Sequence, residues 1–336
     1  MSLTAEQFDD HVESIMLSSR ARGKAVILCE GDTDSVKNVG RNPSMYKQLE
    51  KIPDANFYKA CLPKEARRRR APVFFPCGSR ADVIKVFFEL HKLVALGKAS
   101  YVDVNKLFAI VDLDIQKQKL IIENENDQFT DAQVIYPFSD TEEIFLNLYN
   151  GLEINHVSKE QHKIFVTGLI HKEAYFLLPE LKEFFNDYKH PILYQDNALD
   201  LWALYDEILR ESSADQDLNK NLESVLKRMS FLDLNCPTVS ELCHSLESKY
   251  KNTDKLEFAR IIFLFRKAKP YWEKIITDFK LNPEQDNEEQ SKEQVERFRE
   301  QLSLEIAKFY SRKDDNNFHL TAIFKSIYKQ AYGIEL

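Results

Sequence analysis

Four short apolar runs constrain the fold of this chain more than any other feature of its sequence. They lie at 23–31 (GKAVILCEG), 71–79 (APVFFPCGS), 106–114 (KLFAIVDLD) and 132–140 (AQVIYPFSD). Each run is continuous rather than alternating, a pattern typical of strands that are buried on both faces. The stretch ADVIKVFFELHKLVALGK, between the second and third runs, has helical spacing. Strands that alternate with helices predict an α/β fold with a doubly wound, mainly parallel sheet.

The length of the chain, 336 residues, predicts more than one domain. An amphipathic pattern near the start predicts an N-terminal helix, which we assign to residues 1–22. The apolar runs define an α/β domain at 23–150. The remainder, 151–336, is rich in Leu, Glu, Lys and Phe at helical spacing, and we expect a mostly α-helical domain there.

The net charge and the cysteine content narrow the classes of protein to which this chain can belong. The net charge is −8, which disfavours a protein that coats nucleic acid, although a local basic patch and an acidic metal site remain compatible with it. The five cysteines form no CxxC pair, which disfavours zinc and fits a reducing compartment. No signal peptide and no run long enough to cross a bilayer is evident. We therefore expect a cytoplasmic protein without membrane association.

Carboxylates follow three of the apolar runs at the points where the predicted strands end. Glu30 closes the first run, Asp112 and Asp114 close the third, and SDTEE, which contains Glu142, follows the fourth. Ligands of doubly wound sheets bind outside the carboxyl ends of the strands, so we expect these side chains at one rim. Asp112 and Asp114 are spaced i, i+2 and point to the same side of an extended chain.

Carboxylates at one rim form a donor set that Mg²⁺ prefers, together with water and substrate phosphate. Two such ions assist phosphodiester cleavage by activating water and stabilising the leaving oxygen. Each acid also has an ordinary structural interpretation: Glu30 as a turn residue, Asp140 as a helix N-cap and DxD as an exposed pair. Their order at successive strand ends favours the metal site.

The segments CEGDTD (29–34), VDLD (111–114) and SDTEE (139–143) together resemble the TOPRIM domain of topoisomerases, primases and OLD-type nucleases. In that family a glutamate, usually in an EG pair, follows the first strand and a DxD follows the third. The chain is most similar to the OLD-like branch, and within it to stand-alone TOPRIM proteins encoded beside an ABC-type ATPase in bacterial phage-defence pairs. Leu113 is a departure, because the family often has a basic residue at that position.

The resemblance implies that 23–150 is a TOPRIM catalytic domain with Mg²⁺- or Mn²⁺-dependent endonuclease activity. Glu30 would be a metal ligand or general base, Asp112 and Asp114 would hold the ion, and Glu142 would complete a second metal site. The catalytic residues would then be Glu30, Asp112 and Asp114. Asp34 is interpreted as an acid of the first turn of a helix rather than as a ligand.

The same resemblance implies a toxin effector of an anti-phage defence system, with a nucleic acid substrate (tRNA or DNA) and an ABC-type ATPase as partner protein. A non-catalytic TOPRIM module that binds or regulates an ATPase complex, a DNA-cutting OLD-like nuclease and a primase-like polymerase stay open as alternatives. A homodimer is an open alternative for the assembly.

Basic residues near the second strand are further candidates for contact with nucleic acid. The segment KEARRRRAP at 64–72 contains a run of adjacent arginines: Arg67, Arg68, Arg69 and Arg70. Such a run contacts phosphates, forms a partner surface or lies in a solvated loop, and the sequence leaves these alternatives open. Arg80 and Lys85 follow the second strand and either neutralise a phosphate or lie on an ordinary helix surface.

Overall fold

The computed structural model describes residues 4–31, 53–120, 136–250, 254–277, 288–312 and 318–336. The chain divides into two compact units. Unit 1 comprises Met1–Asp112, Lys117–Thr167 and Ala307–Leu336, and unit 2 comprises Leu113–Gln116 and Gly168–Ile306. The position predicted for the domain boundary, residue 150, lies inside unit 1, which continues to Thr167 and also takes in the C-terminal segment.

Helices separate the first three strands of the described chain, whereas helices with no strand between them follow one another from Leu201 to Trp272. The helices are α1 (Ala5–Met16), α2 (Pro53–Cys61), α3 (Lys64–Arg69), α4 (Arg80–Ala95), α5 (Thr141–Leu148), α6 (Lys182–Asn186), α7 (Leu201–Ser212), α8 (Gln216–Lys220), α9 (Leu222–Arg228), α10 (Val239–Tyr250), α11 (Lys255–Ile262), α12 (Lys269–Trp272), α13 (Glu288–Tyr310) and α14 (His319–Tyr332). The strands are β1 (Val26–Cys29), β2 (Val73–Pro76), β3 (Leu107–Leu113), β4 (Tyr149–Asn150), β5 (Glu153–Ile154), β6 (Ile164–Ile170), β7 (Ile192–Tyr194), β8 (Asn197–Ala198) and β9 (Ile275–Thr277). Among the described helices, none is both long enough and apolar enough to cross a bilayer.

A sheet of order β2-β1-β3-β6 forms the centre of the α/β architecture. Strand β1 pairs in parallel with β2 on one side and with β3 on the other. Hydrogen bonds from Ala109 N to Lys163 O and from His171 N to Leu113 O follow the same chain direction, so β6 also runs parallel to β3. All four strands are buried along their whole length, which explains their continuous apolar sequences. The predicted α/β fold with a parallel sheet is therefore confirmed.

The fourth strand of this sheet is not the one that the sequence predicts. Within the predicted strand at 132–140, residues 136–140 form no strand, and residues 132–135 lie outside the described residues. Pro137 lacks the N–H that a ladder needs, and Asp140 instead caps a helix. Strand β6, IFVTGLI, takes the fourth position, although it lies in the segment predicted to be mostly helical.

Helices α1 and α4 of unit 1 begin where side chains satisfy their first N–H groups. Thr4 and Gln7 form a capping box at α1, and Ser79 and Asp82 form another at α4. Helix α1 packs against α4, and α4 contacts β1. Because Ser79 follows β2 closely, the capping box starts α4 just beyond the carboxyl end of that strand.

Unit 2 is mainly helical and contains a small antiparallel sheet of order β8-β7-β9. Helix α7 contacts α10 and α11, and its buried face includes Leu204, Tyr205 and Ile208. The Tyr205 hydroxyl donates to Leu177 O over 2.6 Å, which satisfies the one polar atom of a fully buried side chain.

Candidate functional site

The ends of β1 and β3 bring two of the predicted acids together in unit 1. Glu30 follows β1 directly, and Asp112 lies near the end of β3. The backbone N–H of Asp112 donates a hydrogen bond to Glu30 Oε1 over 2.7 Å. Because β1 and β3 are parallel neighbours, their carboxyl ends meet at the same edge of the sheet. The other acids of CEGDTD, Asp32 and Asp34, lie outside the described residues.

A buried tyrosine supports the carboxylate of Asp112. The Tyr58 hydroxyl donates to Asp112 Oδ1 over 2.9 Å, and Tyr58 lies on α2 with 1% of its surface exposed. Burial, reinforced by the negative charge of Asp112, raises the pKa of Tyr58 well above its usual range. Tyr58 is therefore a neutral donor throughout the physiological pH range. Tyr58 is not predicted as a site residue, because nothing in its local sequence distinguishes it from other core aromatics.

Glu30 and Asp112 have the chemistry that a hard divalent cation requires. Both offer carboxylate oxygens, the preferred ligands of Mg²⁺ and Mn²⁺. A carboxylate has about four lone-pair sites, so a hydrogen bond to one oxygen leaves capacity for a metal. The Asp112 side chain is pinned by Tyr58 and the Glu30 carboxylate by the main chain of β3. These residues therefore fit a metal ion in donor type, and each carboxylate is held by a hydrogen bond.

Asp114, the second acid of the DxD pair, belongs to unit 2. Its Oδ1 accepts a hydrogen bond from Ile115 N over 2.7 Å. The same oxygen lies 3.6 Å from His171 Nε2 and 3.7 Å from Lys267 Nζ. The carboxylate of Asp114 thus lies among polar and basic groups of unit 2.

A buried arginine holds the main chain at Asp114. Arg228 is 2% exposed, and its guanidinium donates to Asp114 O and to Leu264 O, each over 3.0 Å. Two backbone carbonyls from separate segments of unit 2 are thereby joined through one side chain. Arg228 fixes the turn that follows β3 and so contributes to the placement of the Asp114 side chain.

The turn after β6 adds two ligand-type side chains that the sequence analysis missed. His171 has a φ of 57°, in the left-handed region that non-glycine residues seldom occupy, and its N–H donates to Leu113 O over 3.0 Å. A ring nitrogen of His171 and a carboxylate oxygen of Glu173 lie within 4.8 Å of one another. The signal that could have found them is β6 itself, since a strand at 164–170 predicts functional residues directly after it.

The SDTEE segment forms the start of α5 in unit 1. Asp140 accepts hydrogen bonds from Glu142 N and Glu143 N, each over 3.0 Å, so its interpretation as an N-cap is confirmed. Lys117 Nζ lies 2.8 Å from Asp140 Oδ2. Burial raises the pKa of Asp140, but Lys117 and the two N–H donors outweigh this effect and lower the pKa overall. Glu142 is 5% exposed in the first turn, and its assignment to a second metal site stays a prediction.

The run of arginines is helical rather than a loop, because Lys64–Arg69 forms α3. Arg67 donates to Leu62 O over 3.0 Å and also to Ala60 O, so it satisfies carbonyls at the end of α2. Arg68 and Arg70 are exposed, and the side chain of Arg69 lies outside the described part of the chain.

The other predicted basic residues lie on α4. Arg80 begins this helix and Lys85 is exposed along it. Their positions agree with the interpretation as a helix surface, and contact with a phosphate stays a prediction.

Comparisons of the chain with protein-family models, with curated proteins and with solved structures found no match.

Proposed function

We propose that this protein is a metal-dependent nuclease that hydrolyses phosphodiester bonds at the carboxyl edge of its parallel sheet. The observation that carries the proposal is the 2.7 Å hydrogen bond between Asp112 N and Glu30 Oε1. Acids from the first and third strands are neighbours there, as the TOPRIM resemblance of CEGDTD and VDLD requires. The TOPRIM assignment is part of the same proposal.

In the proposed nuclease, four acids bind metal ions and one tyrosine supports one of them. Glu30 and Asp112 provide oxygen ligands for Mg²⁺ or Mn²⁺, with Asp114 as a further ligand and Glu142 as a ligand of a second site. Tyr58 orients the Asp112 carboxylate through its hydroxyl. When bound, the cation supplies Lewis acidity that activates water and stabilises charge on the phosphate.

The biological setting follows from the resemblance alone. We propose a cytoplasmic toxin effector of anti-phage defence that acts with an ABC-type ATPase and cleaves tRNA. DNA is the second candidate substrate, and a non-catalytic TOPRIM module in an ATPase complex is the second candidate function.

A cleavage assay with purified protein tests the enzymatic proposal. Wild-type protein is incubated with tRNA or plasmid DNA in Mg²⁺, in Mn²⁺ and in EDTA. We expect cleavage with either cation and none in EDTA. Because Glu30→Gln and Asp112→Asn remove charge without removing volume, we expect each to lower the rate at least about a hundredfold.

A control variant and an ATPase partner make the cleavage assay specific. Glu13→Gln, at an exposed position of α1, removes the same charge as Glu30→Gln and is the matched control, which should cut at the wild-type rate. Cleavage that persists at the wild-type rate in both acid variants would show that the site lies elsewhere. If the wild-type protein is inactive alone and with an ATPase partner, the binding-module function is favoured.

A further inference from the structure

The C-terminal helix α14 presents a stripe of basic and aromatic side chains in unit 1. Lys325, Lys329 and Tyr332 are spaced i, i+4 and i+7, which places them on one face of the helix. Lys329 is exposed, and Lys325 and Tyr332 are partly exposed. The stripe therefore faces solvent along about two turns of α14.

A lysine from a distant segment joins the first part of this stripe. Helix α14 packs against the 3₁₀ turn Ser158–Gln161, and Ser326 Oγ donates to Lys159 O over 2.9 Å. Burial lowers the pKa of Lys159, and the like charges of Lys325 and Lys329 lower it further, against the opposing effect of Glu160. Lys159 is thus close enough to Lys325 and Lys329 for their like charges to repel it.

Two more cations flank the far end of the stripe. The ring of Tyr332 has Arg70 Cζ at 5.6 Å and Lys106 Nζ at 5.7 Å from its centroid. Its hydroxyl accepts a hydrogen bond from Ala25 N over 2.6 Å. The Tyr332 ring therefore holds two cations in place and is not a free surface for stacking bases.

The carboxylates that contact these cations compensate them in part. Lys329 Nζ lies 2.6 Å from Glu160 and 3.4 Å from Glu335, and Lys106 Nζ lies 3.8 Å from Asp103. In the part of the chain that the structure describes, the cations named here (Arg70, Lys106, Lys159, Lys325 and Lys329) outnumber these three carboxylates, within a chain whose net charge is −8. Such local segregation of charge is typical of a surface that meets a polyanion.

We propose that Arg70, Lys106, Lys159, Lys325 and Lys329, here called the basic surface, bind the phosphate backbone of a nucleic acid. The inference rests on the proposed function, because the ligand is taken to be the substrate of the nuclease. Interfaces with nucleic acid are polar and strongly positive, whereas the core of a protein interface is depleted of charged residues. The basic surface consists of charged residues, and its composition therefore fits an interface with nucleic acid.

The dimensions of the stripe agree with this ligand. From Lys325 to Tyr332 the helix rises about 10 Å, along which one strand of a duplex presents about three phosphates. Because the neighbouring ring of Tyr332 already contacts two cations, the basic surface contacts the phosphate backbone and not the bases. Binding there is independent of sequence.

The basic surface lies at the opposite end of β3 from the acids. Lys106 directly precedes β3, whereas Asp112 lies near its end, so strand geometry separates them by about 20 Å. A nucleic acid must extend over about six nucleotides to contact both, at about 3.4 Å for each. The basic surface therefore favours long substrates, because only these can bind to it and also reach the point of cleavage about 20 Å away.

Binding measured without cleavage tests this proposal. Fluorescently labelled tRNA and a duplex DNA of similar length are titrated with protein in EDTA, between about 50 and 200 mM salt. We expect the double variant Lys325→Gln/Lys329→Gln to bind both probes about tenfold more weakly, and the slope of log K against log salt to fall by about two. The matched control is Lys182→Gln/Lys220→Gln, which removes two exposed lysines of unit 2.

Three outcomes would overturn the proposal: unchanged affinity and slope in the α14 variant, an equal loss in the control variant, or equally tight binding of poly-L-glutamate. The last would identify a surface for acidic protein segments. Failure of Mg²⁺-dependent cleavage with intact, α14-dependent binding would reject the nuclease function and retain the basic surface.

Discussion

Glu30 and Asp112 are joined across the central sheet by one hydrogen bond, in which Asp112 N donates to Glu30 Oε1 over 2.7 Å. The contact ties a side chain at the end of β1 to the main chain of β3. The Glu30 carboxylate is therefore positioned by the sheet and not by a turn alone. Fixed placement of this kind is what a metal site requires of its ligands.

The first prediction separates the charge of Glu30 from its role as an acceptor. Glu30→Gln keeps an oxygen that accepts from Asp112 N, so its free energy of unfolding should stay within about 0.5 kcal/mol of wild type. Glu30→Ala removes the acceptor and should lower that free energy by about 1–3 kcal/mol. Urea denaturation measures both values, and equal stability of the two variants would contradict the structural role.

The second prediction concerns the support of Asp112 by Tyr58. Tyr58→Phe leaves a nearly buried carboxylate without its phenol donor and should lower the free energy of unfolding by about 1–3 kcal/mol. Tyr101→Phe is the control, since Tyr101 is 39% exposed and its ring contact with Arg22 is retained in phenylalanine. Thermal and urea denaturation measure the free energy of unfolding of both variants. A similar small change in both variants would argue against a supporting bond.

The third prediction is a loss of stability in acid that depends on His11. Burial lowers the pKa of His11 from 6.5 to about 4, against smaller opposing effects of Pro76 and Asp82. As the pH falls below 6.5, the unfolded chain binds a proton that the folded protein excludes, so stability is lost down to about pH 4. The contribution of this residue is about 3 kcal/mol at most.

His11→Leu should therefore flatten the pH dependence of the free energy of unfolding over that window. Urea titrations at several pH values measure the difference between the variant and wild type, which cancels the carboxylates common to both. Parallel curves for the two proteins would show that another group causes the acid sensitivity.

The fourth prediction tests Asp140 as a helix cap. Asp140→Ala removes the acceptor for Glu142 N and Glu143 N and should destabilise the protein by about 1 kcal/mol. Asp140→Asn keeps a side-chain oxygen at the same position and should lose less. The midpoints of thermal unfolding rank the variants, and equal losses in the two variants would mean that the ion pair of Asp140 with Lys117 outweighs the cap.

The sequence correctly predicted three strands of the central sheet. It also predicted that Glu30 and Asp112 lie at the same edge of that sheet. It succeeded there because short buried parallel strands are continuously apolar and their carboxyl ends share one edge. It missed β6, because an apolar run such as IFVTGLI is not distinguished from a buried helix segment by periodicity alone. With β6 missed, His171 and Glu173 could not be recognised as residues that follow a strand.

The sequence by itself determined the α/β class, the strands β1, β2 and β3, and the acids at their ends, since these depend on local patterns of apolar and charged residues. The tertiary structure alone decided the fourth strand, the support of Asp112 by Tyr58, the setting of Asp114 beside His171 and Lys267, and the assembly of the basic surface from Arg70, Lys106, Lys159 and α14. Contacts between residues far apart in the chain depend on how the whole core packs. No local pattern records which distant side chain a buried group will meet.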